Sequence, residues 1–146
     1  ITMPYVKNAQ VVVMKAGADY KDTASLEGKT VVAEAGSAGE STVKSDAGLM
    51  KAEYISKEVQ TACLMEVSAG TADAAVLDLT LANAMIGEGT DYAGLAIVDK
   101  LAVEDYGVAF RKGSDLAEEV NKVFIALKEE GLLGQLAEKY GLDLAF

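Results

Sequence analysis

Residues Thr30 to Glu40 read T-V-V-A-E-A-G-S-A-G-E, and this stretch decides how the rest of the chain is organised. Val31, Val32 and Ala33, with Ala35 after Glu34, predict a short buried strand. Gly36 follows, then Ser37, with Glu40 three places on. Ser-x-x-Glu is the capping-box pattern, in which the Ser37 hydroxyl accepts from the Glu40 N–H and the Glu40 carboxylate reaches back to the Ser37 N–H. Strand, glycine turn and capped helix together bring a helix N-terminus to the carboxyl end of a strand. Its unsatisfied N–H groups and partial positive charge suit a small anion, phosphate or carboxylate. The same pattern also occurs in well-capped helices that bind nothing.

The chain has 146 residues, enough for one good core or two small lobes. Half the residues are apolar and there is a single proline, as in an ordinary soluble α/β chain. Acids outnumber bases 23 to 13, for a net charge of −10, and there is no histidine. That balance argues against nucleic acid, which binds through Lys and Arg neutralising phosphates. Without histidine and with one cysteine, Cys63, a Cys/His metal site and a His-based triad are excluded. Cys63, between Ala62 and Leu64, reads as a buried small hydrophobe rather than a nucleophile. No cofactor is implied. The longest apolar run is too short for a membrane span and no signal peptide is visible. The opening Ile1-Thr2-Met3-Pro4 fits a mature terminus or an excised fragment.

In chain order, Gln10 to Lys15 (Q-V-V-V-M-K) predicts a buried strand and Thr23 to Gly28 a helical turn. Thr30 to Ala35 is the strand already described, and Gly39 to Leu49 its helix. A short strand over Ala52 to Ser56, a helix over Glu58 to Ala69 and a buried strand over Ala74 to Leu77 follow. A helix runs from Leu79 to Ile86, and strands are expected at Leu95 to Val98 and Gly107 to Arg111. Two apolar stripes close the chain: Leu116, Val120, Val123, Phe124 and Leu127, then Leu133, Leu136, Ala137 and Tyr140.

Strands joined by helices across Thr30 to Leu77 imply βαβ crossovers and a parallel sheet, with ligands at the carboxyl ends of its strands. Two features share that edge. One is the Gly36-Ser37 turn; the other is Asp78, directly after Ala74-Ala75-Val76-Leu77. Asp78 also reads as a plain N-cap for the next helix. A donor cluster and a carboxylate a few ångströms apart match the two ends of a zwitterion.

At this point the chain resembles a known family. T-M-P-Y-V at Thr2, S-L-E-G-K-T-V at Ser25 and A-G-S-A-G-E at Ala35 are similar, in order and spacing, to the solute-binding proteins of amino-acid ABC transporters. So are G-T-A-D-A-A-V-L-D at Gly70, Y-G-V-A-F-R-K-G-S at Tyr106, N-K-V-F-I-A-L-K-E-E-G at Asn121 and the E-K-Y-G-L ending. The resemblance covers essentially the whole chain. It implies a type II periplasmic-binding-protein-like α/β lobe, with a mostly parallel three-layer sheet, and C-terminal helices belonging to a first lobe that the chain lacks. Residues 1–16 would be the first hinge crossing, 17–105 the second lobe, and 106–146 the return hinge strand and first-lobe helices.

Members of the family close two lobes around one free amino acid. By resemblance, Gly36, Ser37 and Ala38 would face its α-carboxylate, Asp78 would pair with its ammonium, and Glu34 would touch its side chain. A carboxylate at Glu34 would favour a polar or cationic side chain; a solvated charge at a sheet edge is the plainer reading. The family often has a second hydroxyl residue where this chain has Ala38, a loss of about 0.5–1.5 kcal/mol for one hydrogen bond. The implied partner is the membrane permease of an ABC importer, and the implied place is the periplasm or cell exterior, with a lipoprotein anchor as one option. No catalytic residue is implied. Sensor or receptor input domains share the fold, as do a few dehydratases of small acids; for an enzyme the candidate acids and bases are Glu34, Glu40 and Asp78. Without a first lobe the two C-terminal apolar stripes need other cover, which predicts a homodimer.

Overall fold

The computed structural model describes all 146 residues, and the chain divides into two compact units. The larger is Ala9–Ala102; the smaller joins Ile1–Asn8 to Val103–Phe146. The chain passes between them within two strands, β1 (Val6–Lys15) and β5 (Leu95–Tyr106).

In the larger unit, β2 (Thr30–Glu34) lies between β3 (Glu53–Lys57) and β4 (Ala74–Asp78), parallel to both. The strand order is β3-β2-β4-β1-β5. The parallel trio is the one expected from the sequence; β1 joins it antiparallel, with Gln10 opposite Asp78 and Val12 opposite Val76. Helix α1 (Ala38–Ser45) links β2 to β3, α2 (Gln60–Ala69) links β3 to β4, and α3 (Leu79–Met85) follows β4.

Alternate residues along a strand face opposite sides, so the valine runs fill two cores at once. Val12, Val31, Ala33, Ala74 and Val76 pack with Val43 of α1 and Leu49. Val11, Val13, Val32, Ala75 and Leu77 pack with Cys63, Leu64 and Val67 of α2 and with Ala82 of α3. Thus α1 covers one face and α2 with α3 the other. The connections leaving β2 and β4 diverge to opposite faces, which makes their carboxyl ends the switch point where such sheets bind ligands.

The first strand begins at Val6 rather than Gln10 and α2 at Gln60 rather than Glu58, and two larger differences from expectation have a visible cause. The helix begun at Ala38 stops at Ser45, and a separate 3-10 turn covers Leu49–Lys51. The Asp46 carboxylate interrupts it by accepting the N–H groups of Gly48 (2.9 Å) and Leu49 (3.0 Å). Gly48 must also pass close to Thr23 and Ala24, where a Cβ would collide with the Thr23 hydroxyl. The second difference concerns Gly107–Arg111, which is not a strand. Leu95–Tyr106 is instead one continuous strand, flanked by Ala16 N–H to Gly94 carbonyl and Tyr5 N–H to Tyr106 carbonyl bonds, both 2.9 Å. Beyond it the Val108 carbonyl still accepts the Thr2 N–H at 2.9 Å, but the Val108 N–H turns to the Thr2 hydroxyl at 2.9 Å, so the two-way ladder of a strand does not continue.

In the smaller unit, α4 (Leu116–Glu129) and α5 (Leu132–Tyr140) are followed by β6 (Asp143–Leu144), which pairs antiparallel with Val6 and Lys7. Tyr5 stacks on Phe124 with ring centres 5.1 Å apart, and the Asn121 side chain accepts the Met3 N–H at 2.8 Å. Of the first predicted stripe, Val120, Phe124 and Leu127 are half-buried, while Leu116 (52%) and Val123 (53%) are exposed. Of the second, Leu133 is half-buried and Ala137 buried, while Leu136 and Tyr140 are exposed.

Candidate functional site

Gly36 takes the left-handed turn, at φ +73°, that lets the chain leave β2 and enter α1. Ser37 is the N-cap: its Oγ accepts the Glu40 N–H at 3.1 Å and donates to the Glu34 carbonyl at 2.7 Å. The capping box is shifted on its return side. Glu40 accepts from the Gly36 N–H, at 3.4 Å, and not from Ser37, whose own N–H bonds the Glu34 carbonyl at 3.3 Å. The left-handed glycine turn aims the two N–H groups differently. With the Ser37 hydroxyl hydrogen committed to Glu34, the donors left at the helix start are the N–H groups of Ala38 and Gly39, which have no intrahelical acceptor.

Glu40 is pinned from three sides. Its Oε2 accepts the Tyr54 hydroxyl from β3 at 2.6 Å, and its Oε1 meets Lys44 Nζ at 3.1 Å as well as the Gly36 N–H. The Tyr54 bond, then Lys44, then Gly36 hold this carboxyl below its ordinary pKa. Burial, followed by the hydrogen bond to Glu40 and then its charge, pushes the Tyr54 hydroxyl up. Asp46 is also lowered: burial opposes its charge, but the donors of Leu49, Thr23 and Gly48 outweigh that. Carboxyls depressed by folding contribute stability above their unfolded pKa and lose it as pH falls through the folded value. The urea midpoint is therefore expected to hold between about pH 7 and pH 5 and to drop below about pH 4, with Glu40→Gln flattening part of the drop. A midpoint independent of pH across that range would contradict these contacts.

Asp78 heads α3 but makes no side-chain cap bond to it. Its carboxylate instead accepts two amides: Gln10 Nε2 to Oδ1 at 2.7 Å and Gln60 Nε2 to Oδ2 at 2.5 Å. The Asp78 N–H returns to Gln60 Oε1 at 3.1 Å. Gln10 and Asp78 are cross-strand partners and share the strand face of Val12 and Val76, the face covered by α1. At Gly39 a Cβ would stand 2.7 Å from the Val76 carbonyl oxygen, 3.2 Å from Gln10 Oε1 and 3.3 Å from Ser37 Oγ. The Gln10 side chain therefore lies between the start of α1 and Asp78, and Ser37 and Asp78 are on one side of the sheet. Glu34, by contrast, alternates with Ala33 toward the α2 face. There it adds to the burial that pushes the Cys63 thiol up to about 11. Its cross-strand neighbour is Lys57, whose Nζ is held by Glu66 at 2.7 Å.

Gln10, Gln60, Gly39 and Tyr54 were not singled out from the sequence. One clue was legible, a lone amide opening the valine run of β1, which the structure buries to 1% exposure.

No protein-family model matches the chain. Among curated proteins it is 33% identical over 95% of its length to the "Probable amino-acid-binding protein YxeM" of Bacillus subtilis, covering 54% of that protein. It is 31% identical to an L-arginine-binding protein of Pseudomonas aeruginosa (95% of this chain, 57% of the relative). The arginine-binding extracellular protein ArtP of Bacillus subtilis is 27% identical (93% and 54%). Among solved structures, an ancestral arginine-binding protein bound to arginine is 30% identical with a TM-score of 0.77, over 95% of this chain and 62% of that one. A mutant of ArgBP from T. maritima is 33% identical with the same score, over 95% and 60%. The chain spans little more than half the length of the curated relatives it matches. Over nearly its whole length, then, this chain is related in sequence and in fold to the amino-acid-binding solute-binding proteins.

Proposed function

We propose that the chain supplies one wall of an amino-acid-binding site, serving the substrate-binding component of an ABC importer for a polar amino acid. The observation that carries this is the placement of the α1 N-terminus and Asp78 on one face at the β2/β4 switch point. Backbone N–H groups of Ala38 and Gly39, in the turn shaped by Gly36 and Ser37, face the α-carboxylate. Asp78 faces the α-ammonium, a charge-assisted pairing. The larger unit acts as the second lobe, the smaller unit belongs with the first, and the facing wall comes from chain beyond these residues. The protein binds and does not transform its ligand, as its relatives' names indicate for them.

The ligand is a cationic amino acid of the arginine class. Two curated relatives and several solved structures are named for arginine, and Glu34 offers a carboxylate at the same strand end. Lys57 stands beside Glu34 but is drawn toward Glu66, which leaves the corner acidic. In the complete polypeptide Glu34→Leu is expected to weaken L-arginine more than tenfold while leaving a neutral amino acid unchanged, as read by calorimetry. Equal affinities for wild type and variant would remove Glu34 from the site.

A thermal-shift screen of the standard L-amino acids tests the reading, because a binder gains stability as RT ln(1 + [L]/Kd). A rise with L-arginine in the complete polypeptide supports it, and no rise with any amino acid refutes it. The 146-residue chain alone is expected to shift little, since half a site pays the costs of binding without enclosing the ligand. The protein works outside the cell membrane, where ArtP's name places that relative, with an ABC permease as partner and a lipid anchor on the complete chain. No helix of the chain is long and apolar enough to cross a membrane. As an isolated chain it forms a homodimer through the exposed apolar residues of α4 and α5, Leu116, Val123, Leu136 and Tyr140 among them. Light scattering at micromolar concentration should give twice the 15.2 kDa chain mass, and a single-chain mass would refute the dimer.

A further inference from the structure

We propose that Gln60 is a positioning residue for ligand binding: with Gln10 it clamps the Asp78 carboxylate so that an incoming ammonium meets an acceptor already in place. This rests on the zwitterion reading above. Gln60 grips Asp78 twice, its Nε2 on Oδ2 at 2.5 Å and its Oε1 on the backbone N–H at 3.1 Å, which ties side chain and main chain to one planar amide. Gln10 holds the other oxygen at 2.7 Å from the antiparallel strand. Gln10 is 1% exposed, so turning its amide away would strand a buried polar group.

Both amides are neutral. A Lys or Arg in either place would orient the carboxylate equally well, but would cancel the charge that the ligand ammonium needs. Two amides fix the rotamer and leave the negative charge in place, the combination that preorganised recognition requires. Gln60 sits in the first turn of α2, across the sheet from α1, and acts on the ammonium through its two bonds to Asp78.

The substitution Gln60→Glu gives this role a signature. Deprotonated, the new carboxylate accepts the Asp78 N–H but opposes Oδ2; protonated, it has the shape of glutamine and donates to Oδ2. The two carboxyls then titrate as a pair whose upper step is raised. The other charged groups on the elements around them are Glu34 on β2, Glu53 and Lys57 on β3, Glu66 on α2, Glu40 and Lys44 on α1, and Lys7 and Lys15 on β1; α3 (L-T-L-A-N-A-M) carries none.

Calorimetry with L-arginine on the complete polypeptide is the test. Gln60→Ala should weaken binding about tenfold or more. Gln60→Glu should weaken it at least as much near pH 7.5 and recover about tenfold near pH 5, a recovery that wild type does not show. Carbon-13 spectra of the 146-residue chain should show the carboxyls at positions 60 and 78 of Gln60→Glu shifting together through two steps. Unchanged affinity in Gln60→Ala, or a pH-independent loss in Gln60→Glu, overturns the clamp even if Asp78→Asn abolishes binding. A wild type that binds no standard L-amino acid overturns the zwitterion reading, and the clamp's role in binding falls with it.

Discussion

In the complete polypeptide, Asp78→Asn is expected to weaken L-arginine by two orders of magnitude or more. Leaving one partner of a desolvated, hydrogen-bonded charge pair unmatched costs about 2–5 kcal/mol, with each 1.4 kcal/mol a factor of about ten. The clamp adds a separate cost in stability. Asparagine presents one acceptor and one donor to the amides of Gln10 and Gln60, both of which now donate to the carboxylate. If the Gln60 amide flips to accept from the new side-chain amide, its nitrogen then confronts the backbone N–H of the same residue, which at present bonds Gln60 Oε1. One mismatch remains in either orientation, worth about 1–3 kcal/mol of stability where the group is buried. Affinity and unfolding midpoint should therefore fall together. A variant that keeps its affinity for L-arginine would show that the ammonium is held elsewhere.

Gly39→Ala should unfold several degrees below the parent chain. In an ordinary helix alanine gains up to about 1 kcal/mol over glycine, so local propensity predicts stabilisation. Tertiary packing reverses the sign. The new Cβ would stand 2.7 Å from the Val76 carbonyl oxygen, a backbone atom that cannot move without disturbing β4 in mid-sheet. Overpacking of this kind costs about 1–3 kcal/mol, and at this chain length each kcal/mol lowers Tm by about 2–4 °C. The alternative to that strain is a lift of α1 away from β4. The lift would carry the Ala38 and Gly39 N–H groups out of line with Asp78, so ligand affinity should suffer beyond what the lost stability explains. Differential scanning calorimetry decides it: an equal or higher Tm would mean that the helix start is not held against β4 as described.

Neither substitution could have been weighed on sequence patterns alone, because both effects come from contacts far apart in the chain. The cap at Ser37 spans three residues and its chemistry is local, so its sequence spacing led directly to the observed Glu40 N–H bond. The unbroken apolar runs V-V-A and A-A-V-L likewise marked β2 and β4, since a strand buried on both faces must be apolar throughout. The end of α1 was misplaced because Asp46 and the tight passage of Gly48 past Thr23 override continued helix propensity. The strand expected at Gly107–Arg111 failed for a related reason: its N–H groups needed a neighbour, and at Val108 the neighbour is a side chain.

By itself the sequence determined the parallel trio of strands, the capped helix start at the end of β2 and the carboxylate at the end of β4. Each of these follows from residue spacing within a turn or a strand. Only the tertiary structure decided that Gln10, 68 residues from Asp78, would lie opposite it, and that Gln60 would reach it from the other side. Strand register across an antiparallel pair is set by the packing of whole faces, and short-range sequence signals carry no record of which distant residue will stand opposite.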